Sequence, residues 1–168
     1  IAANPDRADL WGLQARAYIG MKQPMKAAEN YEMMDKLGAA TPETLNTLGS
    51  IYINEELYDV AVDCYVRAMT LAPESGPDAA LTAAKVLAGG GALDETAELV
   101  DGISATCGER LTTEQRKDLL KLRARLAVAE GDADKEAAVL EEMVALDPMD
   151  GEALILLGRH SARAGDPR

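Results

Sequence analysis

The sequence predicts an all-α fold built from repeated pairs of helices, and three observations lead to this prediction. First, the chain of 168 residues is 48% apolar, which is enough to bury a substantial core in one domain. Second, Ala, Leu, Glu, Met and Lys are abundant, and no strand-favouring run occurs. Third, one pattern of apolar and small residues returns about every 34 residues, which is typical of a helical repeat.

The clearest copy of this pattern covers residues 42–75. The first of its two helices is predicted from residues at spacings i, i+3, i+4 and i+7, which share one helix face. We expect Gly49 and Ala61 where the two helices of a hairpin approach closely, since larger side chains would push the helices apart. In order, the pattern consists of Leu45, Leu48, Gly49, Tyr52, Ala61, Tyr65 and a helix-ending Pro73.

This pattern resembles the tetratricopeptide repeat, in which W-x2-L-G-x2-Y is followed by A-x3-F and then by Pro. Here Leu replaces Trp and Tyr replaces Phe. The resemblance covers nearly the whole chain and implies an all-α, right-handed superhelical solenoid of about four helix hairpins with partial terminal repeats. We therefore predict one solenoid domain over residues 1–168, with repeats near 8–41, 42–75, 77–110 (degenerate), 117–150 and 151–168 (partial).

The other copies keep the small and apolar positions of the pattern. The copy near residue 8 has Trp11, Gln14, Ala15, Tyr18, Ala27 and Tyr31. The degenerate copy has Ala80, Ala83, Ala84, Leu87, Thr96 and Val100. The copy near residue 117 has Leu120, Ala124, Ala127, Leu140, Met143, Leu146 and Pro148. It places Glu136 where the family has Ala, so its register either holds or slips by one to Ala137.

Both ends of the sequence suggest a fragment of a larger repeat protein. Residues 4–5 (Asn-Pro) resemble the tail of a preceding helix, and residues 165–167 (Gly-Asp-Pro) resemble the turn before a following one. Leu154, Leu156 and Leu157 are expected to lack a packing partner within the chain, because a solenoid normally ends in a polar capping repeat.

The spacing of the repeats is irregular after the third copy. Thr112 and Gln115 have the spacing of a capping box, so the next helix is predicted to begin early and run long. Residues 104–111 are predicted to form the main irregular loop. Residues 89–91 (Gly-Gly-Gly) are assigned to a helix end and turn rather than to a phosphate-binding loop.

Charge and chemistry disfavour several functional classes. A net charge of −12 argues against nucleic-acid binding, which needs a dense Lys and Arg surface. Cys64 and Cys107 have no zinc-like spacing and are predicted to be free thiols. His160 lacks an orienting carboxylate in a recognisable motif, and Asp132 is predicted to start a helix rather than to bind calcium. No catalytic residue, metal site or cofactor is predicted, and the chain is not expected to be an enzyme.

Helical phase predicts which side chains of the first helices face away from the packed stripe. Because Ala15 and Tyr18 pack inward, Arg16, Gly12 and Ile19 are predicted to point outward. In the tetratricopeptide family this face lines a concave groove, so the resemblance implies partner contacts there. The residues assigned to this groove are Arg16, Ser50, Lys85, Arg125 and Arg159, with Lys121 and Arg163 assisting.

The distribution of charge predicts the chemistry of a partner. The first helices are close to neutral, whereas the second helices carry most of the negative charge. We therefore predict a protein-interaction scaffold that binds a partner protein or peptide, with an acidic or carboxylate-bearing peptide as the leading hypothesis. The opposing interpretation is that these cations only balance an acidic solenoid or form surface pairs of little energetic consequence.

Two other functions stay as alternatives. One is a structural module that self-associates through its open ends or through the Leu154–Leu157 face. The other is a recruiting domain of a larger enzyme. The Ala-rich, Phe-free composition suggests a bacterial source, with the cytoplasm and the periplasm as alternative compartments.

Overall fold

The computed structural model describes residues 6–163, and in this range the chain forms α-helices and short turns without any β-strand. The sequence features expected at residues 4–5 and 165–167 lie outside the described range. The helices of this range are α1 (Ala8–Gly20), α2 (Pro24–Lys36), α3 (Pro42–Asn54), α4 (Tyr58–Leu71), α5 (Asp78–Gly90), α6 (Leu93–Cys107), α7 (Thr113–Glu130), α8 (Ala133–Leu146) and α9 (Gly151–Arg163). The predicted all-α class is confirmed.

These helices pack as hairpins within two compact units. Unit 1 ends at Ser75 and unit 2 begins at Gly76, so the division coincides with a predicted repeat boundary. In unit 1, α1 pairs with α2, and α3 pairs with α4. In unit 2, α5 pairs with α6, α7 pairs with α8, and α9 packs on α8. The single domain over residues 1–168 stays a prediction.

Close approach within each hairpin of unit 1 depends on small side chains. Ala15 of α1 and Ala27 of α2 are completely buried, as is Ala61 of α4. A Cβ atom added to Gly49 would lie 2.8 Å from Cε2 of Tyr65. The Tyr65 ring has little freedom to move away, because it is buried and its hydroxyl lies 2.9 Å from the Ser50 hydroxyl. The predicted roles of Gly49 and Ala61 are confirmed.

The degenerate copy in unit 2 also buries the side chains at its pattern positions. Ala84 of α5 and Thr96 of α6 are completely buried. The Thr96 hydroxyl donates a hydrogen bond to the carbonyl oxygen of Ala92 at 2.6 Å. Leu99 and Ile103 on α6 are also fully buried. A threonine therefore replaces alanine at this position without leaving an unsatisfied polar group in the core.

The predicted long helix of unit 2 begins at its capping box. The Thr112 hydroxyl accepts from the Gln115 amide nitrogen at 3.2 Å, and the Gln115 side chain accepts from the Thr112 amide nitrogen at 3.0 Å. Helix α7 then runs for 18 residues and ends before Gly131, whose φ of 71° suits a residue without a side chain. Asp132 caps α8 by accepting from the Lys135 amide nitrogen at 3.0 Å, as predicted.

The prediction of an irregular loop over residues 104–111 is wrong. Helix α6 continues to Cys107 and is followed by a single 3-10 turn over Gly108–Arg110. The helix extends because Ile103 and Cys107 are both buried and lie one helical turn apart. Residues 89 and 90 are also helical, and only Gly91 adopts the left-handed conformation of the turn.

The register of the copy near residue 117 holds rather than slipping. Leu140 and Met143 are buried at the positions that the unshifted pattern gives them, and together with Leu120 and Ala153 they form a core cluster. The expectation that Leu156 and Leu157 lack a partner is wrong, because both are partly buried against this cluster. Leu154, by contrast, is exposed.

Replacement of Gly49 by Ala should destabilise unit 1. The added methyl group would meet a tyrosine ring that cannot move, so we expect a loss of about 1–3 kcal/mol in the free energy of unfolding. Urea unfolding followed by far-ultraviolet circular dichroism measures this change. The matched control is Gly89→Ala, because a Cβ atom there has no neighbour within 4 Å. Its free energy of unfolding should rise by about 0.5–1 kcal/mol from helix propensity. A Gly49→Ala variant as stable as the wild type would contradict the packing account.

Candidate functional site

A cationic face in unit 2 brings together three of the residues that the sequence assigned to partner binding. Lys85 projects from α5, and Lys121 and Arg125 project from α7, where they lie one turn apart. They surround a shallow surface pocket of about 230 Å³ whose other lining residues are Ala88, Asp118 and Leu122. We call these six residues the α5/α7 pocket.

Hydrophobic packing fixes the position of this pocket. Ala88 and Leu122 are buried beneath it, so both helices are anchored directly below the charged side chains. On α7, residues 118, 121, 122 and 125 follow the i, i+3, i+4, i+7 spacing and therefore share one face. The same helix thus uses Leu122 for its core contact and presents its cations on the adjoining surface.

The electrostatics of the α5/α7 pocket are dominated by unpaired positive charge. The Lys85 ammonium lies 2.6 Å from a carboxylate oxygen of Asp118, and exposed pairs of this kind contribute less than about 1 kcal/mol to stability. Among the described residues, Lys121 and Arg125 have no ion-pair partner. Neighbouring Lys117, in contrast, lies 2.8 Å from Asp147. Two exposed cations are therefore available to a ligand that carries a carboxylate or another anion.

Sequence reasoning missed Asp118, although a signal for it was present. Asp118 lies three residues before Lys121 and seven before Arg125, so helical spacing alone places its carboxylate on the cationic face. Its ion pair with Lys85 could not be read from the sequence, because it joins two separate helices.

In unit 1 the two predicted groove residues differ in whether their side chains are free to contact a partner. Arg16 is exposed and has no ion-pair partner among the described residues. The Ser50 hydroxyl donates to the carbonyl oxygen of Asn46 at 2.9 Å and also lies 2.9 Å from the Tyr65 hydroxyl. Ser50 is therefore engaged inside its own hairpin, whereas Arg16 is accessible.

The prediction that Gly12 points away from the packed stripe is wrong. Gly12 is buried, and a Cβ atom on it would lie 3.0 Å from the sulfur of Met34. The packed face of α1 is wider than the stripe inferred from the sequence, because the long side chain of Met34 on α2 reaches across it. Ile19, assigned to the same outward face, is exposed as predicted.

The last two predicted groove residues lie on α9. Arg159 is exposed in unit 2 and does not line the α5/α7 pocket. Arg163 is the final residue of α9, and its side chain lies outside the described residues. The structure therefore groups Lys85, Lys121 and Arg125 at one pocket and leaves Arg16 and Arg159 as separate exposed cations.

The side chains with potential chemistry do not assemble into a reactive centre within the described range. No group of three or more His, Cys, Asp or Glu side chains there is placed to hold a metal ion. Cys64 and Cys107 are buried free thiols, and His160 is partly buried on α9. None of the described helices is long and apolar enough to cross a membrane.

Known proteins share both the repeat and the fold. Residues 42–75 match the family model described as a tetratricopeptide repeat. A MamA structure from Desulfovibrio magneticus RS-1 aligns with a TM-score of 0.52 and 18% identity, covering 95% of this chain and 86% of that one. PilF from Pseudomonas aeruginosa aligns with a TM-score of 0.52 and 10% identity, covering 96% and 71%.

A third structure, YrrB, is described as a tetratricopeptide-repeat protein with an unusual peptide-binding site. It aligns with a TM-score of 0.54 and 17% identity, covering 90% of this chain and 74% of that one. No curated protein sequence matches the chain. At these identities the structural likeness establishes the fold, and the repeat match at residues 42–75 confirms the predicted resemblance.

The buried thiol of Cys64 should be almost unreactive in the folded protein. Burial, reinforced by Asp63, raises the pKa of Cys64 to about 11, so its thiolate fraction at pH 8 should fall about a hundredfold below that of an unperturbed thiol. We expect alkylation by iodoacetamide to be correspondingly slower than in the urea-unfolded chain, with Cys64 and Cys107 distinguished by peptide mass spectrometry. Equal rates in the folded and unfolded chains would contradict the burial of Cys64.

Proposed function

We propose that this chain, whose residues 42–75 form a tetratricopeptide repeat within an all-α repeat fold, is a protein-interaction scaffold whose α5/α7 pocket binds an acidic segment of a partner. Folds of stacked helical hairpins expose extended helix faces, and such faces generally serve binding rather than catalysis. The observation that carries the proposal is the convergence of Lys85, Lys121 and Arg125 on one pocket in a protein of net charge −12.

The residues of the pocket have separable roles in this proposal. Arg125 and Lys121 form charge-assisted hydrogen bonds with a partner carboxylate, and the planar guanidinium of Arg125 favours a two-point contact. Lys85 is oriented by Asp118 and supplies a third cation. Buried Ala88 and Leu122 give the ligand an apolar floor.

The other residues assigned to partner binding extend the proposal without being required by it. Arg159 and Arg163 belong to α9 of the same unit, and Arg16 and Ser50 belong to unit 1. We assign the primary contact to the α5/α7 pocket because its cations converge. Ser50 is the weakest candidate among the assigned residues, since its hydroxyl is already hydrogen-bonded within its hairpin.

Charge reversal at the pocket should weaken the binding of an acidic peptide. We expect Lys121→Glu/Arg125→Glu to weaken the binding of fluorescein-labelled hexaglutamate at least about tenfold, because two attractive charges become repulsive. Fluorescence anisotropy at low ionic strength measures the affinity. The matched control, Arg110→Glu/Arg116→Glu, makes the same change in net charge at two exposed cations outside the pocket.

The same assay also tests the part assigned to Asp118. Asp118→Asn removes a negative charge from the pocket and should therefore strengthen hexaglutamate binding. Equal weakening by the pocket variant and by the control would show that net charge alone governs binding and would contradict the assigned site. Each variant is first checked for wild-type helical content by circular dichroism.

Self-assembly is a second candidate function, favoured by an exposed apolar patch. Leu154 and Ile155 on α9 are 44% and 58% exposed, and Met149 in the preceding turn is 88% exposed. Neighbouring apolar side chains of this kind often mark interaction surfaces. If they mediate self-association, light scattering should give a mass that rises with concentration and becomes constant in Leu154→Glu/Ile155→Glu. A concentration-independent monomer mass for the wild type would exclude this function.

A further inference from the structure

Unit 2 has a second pocket, on the side that carries the second helix of each hairpin, α6 and α8. It is formed between α6, α7 and α8, has a volume of about 300 Å³, and is separate from the α5/α7 pocket. Its floor consists of buried Val100, Leu126 and Ala127. Ala97, Ala138 and Val139 complete an apolar lining, and four charged side chains stand around it.

The equivalent cleft in unit 1, between α2, α3 and α4, contains a tyrosine. Tyr52 of α3 is buried there, and its hydroxyl donates a hydrogen bond to the Glu32 carboxylate on α2. Burial and this carboxylate raise the pKa of Tyr52 above its usual range. The cleft is also crossed by an ion pair in which Arg67 lies 2.5 Å from Asp35.

The repeat pattern relates these two clefts residue by residue. Tyr52 in the copy beginning at residue 42 corresponds to Ala127 in the copy beginning at residue 117. Glu32 in the first copy corresponds to Asp101 in the degenerate copy. Unit 2 thus has the acceptor carboxylate but an alanine in place of the tyrosine. The unit 1 cleft has a pocket of about 250 Å³ beside Tyr52, whereas the pocket in unit 2 is lined by Ala127 and has a volume of about 300 Å³.

Among the charged side chains around this pocket, the carboxylate of Asp101 is free to accept a hydrogen bond. Arg123 donates to the Ser104 hydroxyl at 2.8 Å, and Lys135 lies 2.8 Å from Glu130. Asp101 has no hydrogen-bond or ion-pair partner among the described residues. The pocket lining itself carries two charges of each sign. Helix α6 adds three further carboxylates outside the lining and has no cation, so the surface of this helix favours cations that flank the bound residue.

We propose that the α6/α7/α8 pocket binds a tyrosine side chain of a partner protein, supplied by a segment with Lys or Arg on either side of that tyrosine. The ring occupies the apolar space over Ala127, and its hydroxyl donates to Asp101, as Tyr52 donates to Glu32 in unit 1. The flanking cations lie against the acidic α6 surface. This site shares no residue with the α5/α7 pocket, so the test of tyrosine binding is independent of the acidic-peptide proposal.

A short basic peptide tests this assignment. We would titrate the protein with acetyl-Lys-Lys-Tyr-Lys-Lys-amide by isothermal calorimetry at low ionic strength, beside peptides with Phe or Ala in place of Tyr. The tyrosine peptide should bind best. We expect the phenylalanine peptide to bind about fivefold more weakly, because it lacks the hydrogen bond, and the alanine peptide at least about tenfold more weakly, because it leaves the apolar space empty.

Variants of this chain locate the binding site. Ala127→Tyr restores the side chain that unit 1 has at this position and should remove the preference for the tyrosine peptide. Ala138→Leu narrows the pocket from its exposed edge and should have the same effect if Ala127→Tyr does not fold. Asp101→Asn should reduce the difference between the tyrosine and phenylalanine peptides. Ala105→Tyr, an exposed position on α6 outside the pocket, is the matched control and should bind like the wild type.

Two results would overturn the proposal. Equal affinity of the wild type for the tyrosine and alanine peptides would show that only charge attracts the peptide. Undiminished tyrosine preference in folded Ala127→Tyr or folded Ala138→Leu would show that the ring binds elsewhere.

Discussion

The close contact between the two helices of each hairpin is the constraint on which the rest of the fold depends. Gly49 lies against the Tyr65 ring, and that ring is held in place by its contact with Ser50. At the corresponding positions of two other hairpins, Ala15 and Ala84 are completely buried, whereas Ala124 is partly exposed. Because the cost of an extra methyl group in such a contact exceeds the helix propensity that it gains, the spacing of small residues determines which face of each helix packs inward.

Once the packed faces are determined, the remaining surfaces can differ in charge without loss of fold. Helix α7 shows this within unit 2, because Leu122 and Leu126 are buried while Lys121 and Arg125 stay exposed. The cations lie at the α5/α7 pocket, whereas α6 is purely acidic among its charged residues. One unit therefore offers two surfaces of opposite charge, and opposite charge selects different partners.

Sequence reasoning predicted the features that depend on local spacing. The Thr112–Gln115 cap was assigned correctly because its two residues lie three positions apart. Gly49 and Ala61 were assigned correctly because the repeat pattern places small residues where the two helices of a hairpin meet. It failed where a distant side chain decides the outcome. Gly12 is buried because the Met34 side chain packs over it. Residues 104–107 are helical because the Cys107 side chain is buried against the core. The Lys85–Asp118 pair and the cavity above Ala127 likewise required the arrangement of neighbouring helices.

We propose that the cations of α5 and α7 bind a carboxylate-bearing ligand. Titration of the uniformly nitrogen-15-labelled protein with unlabelled hexaglutamate, followed by amide chemical-shift changes, tests this most directly. If the α5/α7 pocket binds this ligand, saturable shifts should be centred on Lys85, Asp118, Lys121 and Arg125, with small changes on α6 and α8. Shifts centred on other surfaces, or no saturable shifts at all, would contradict it.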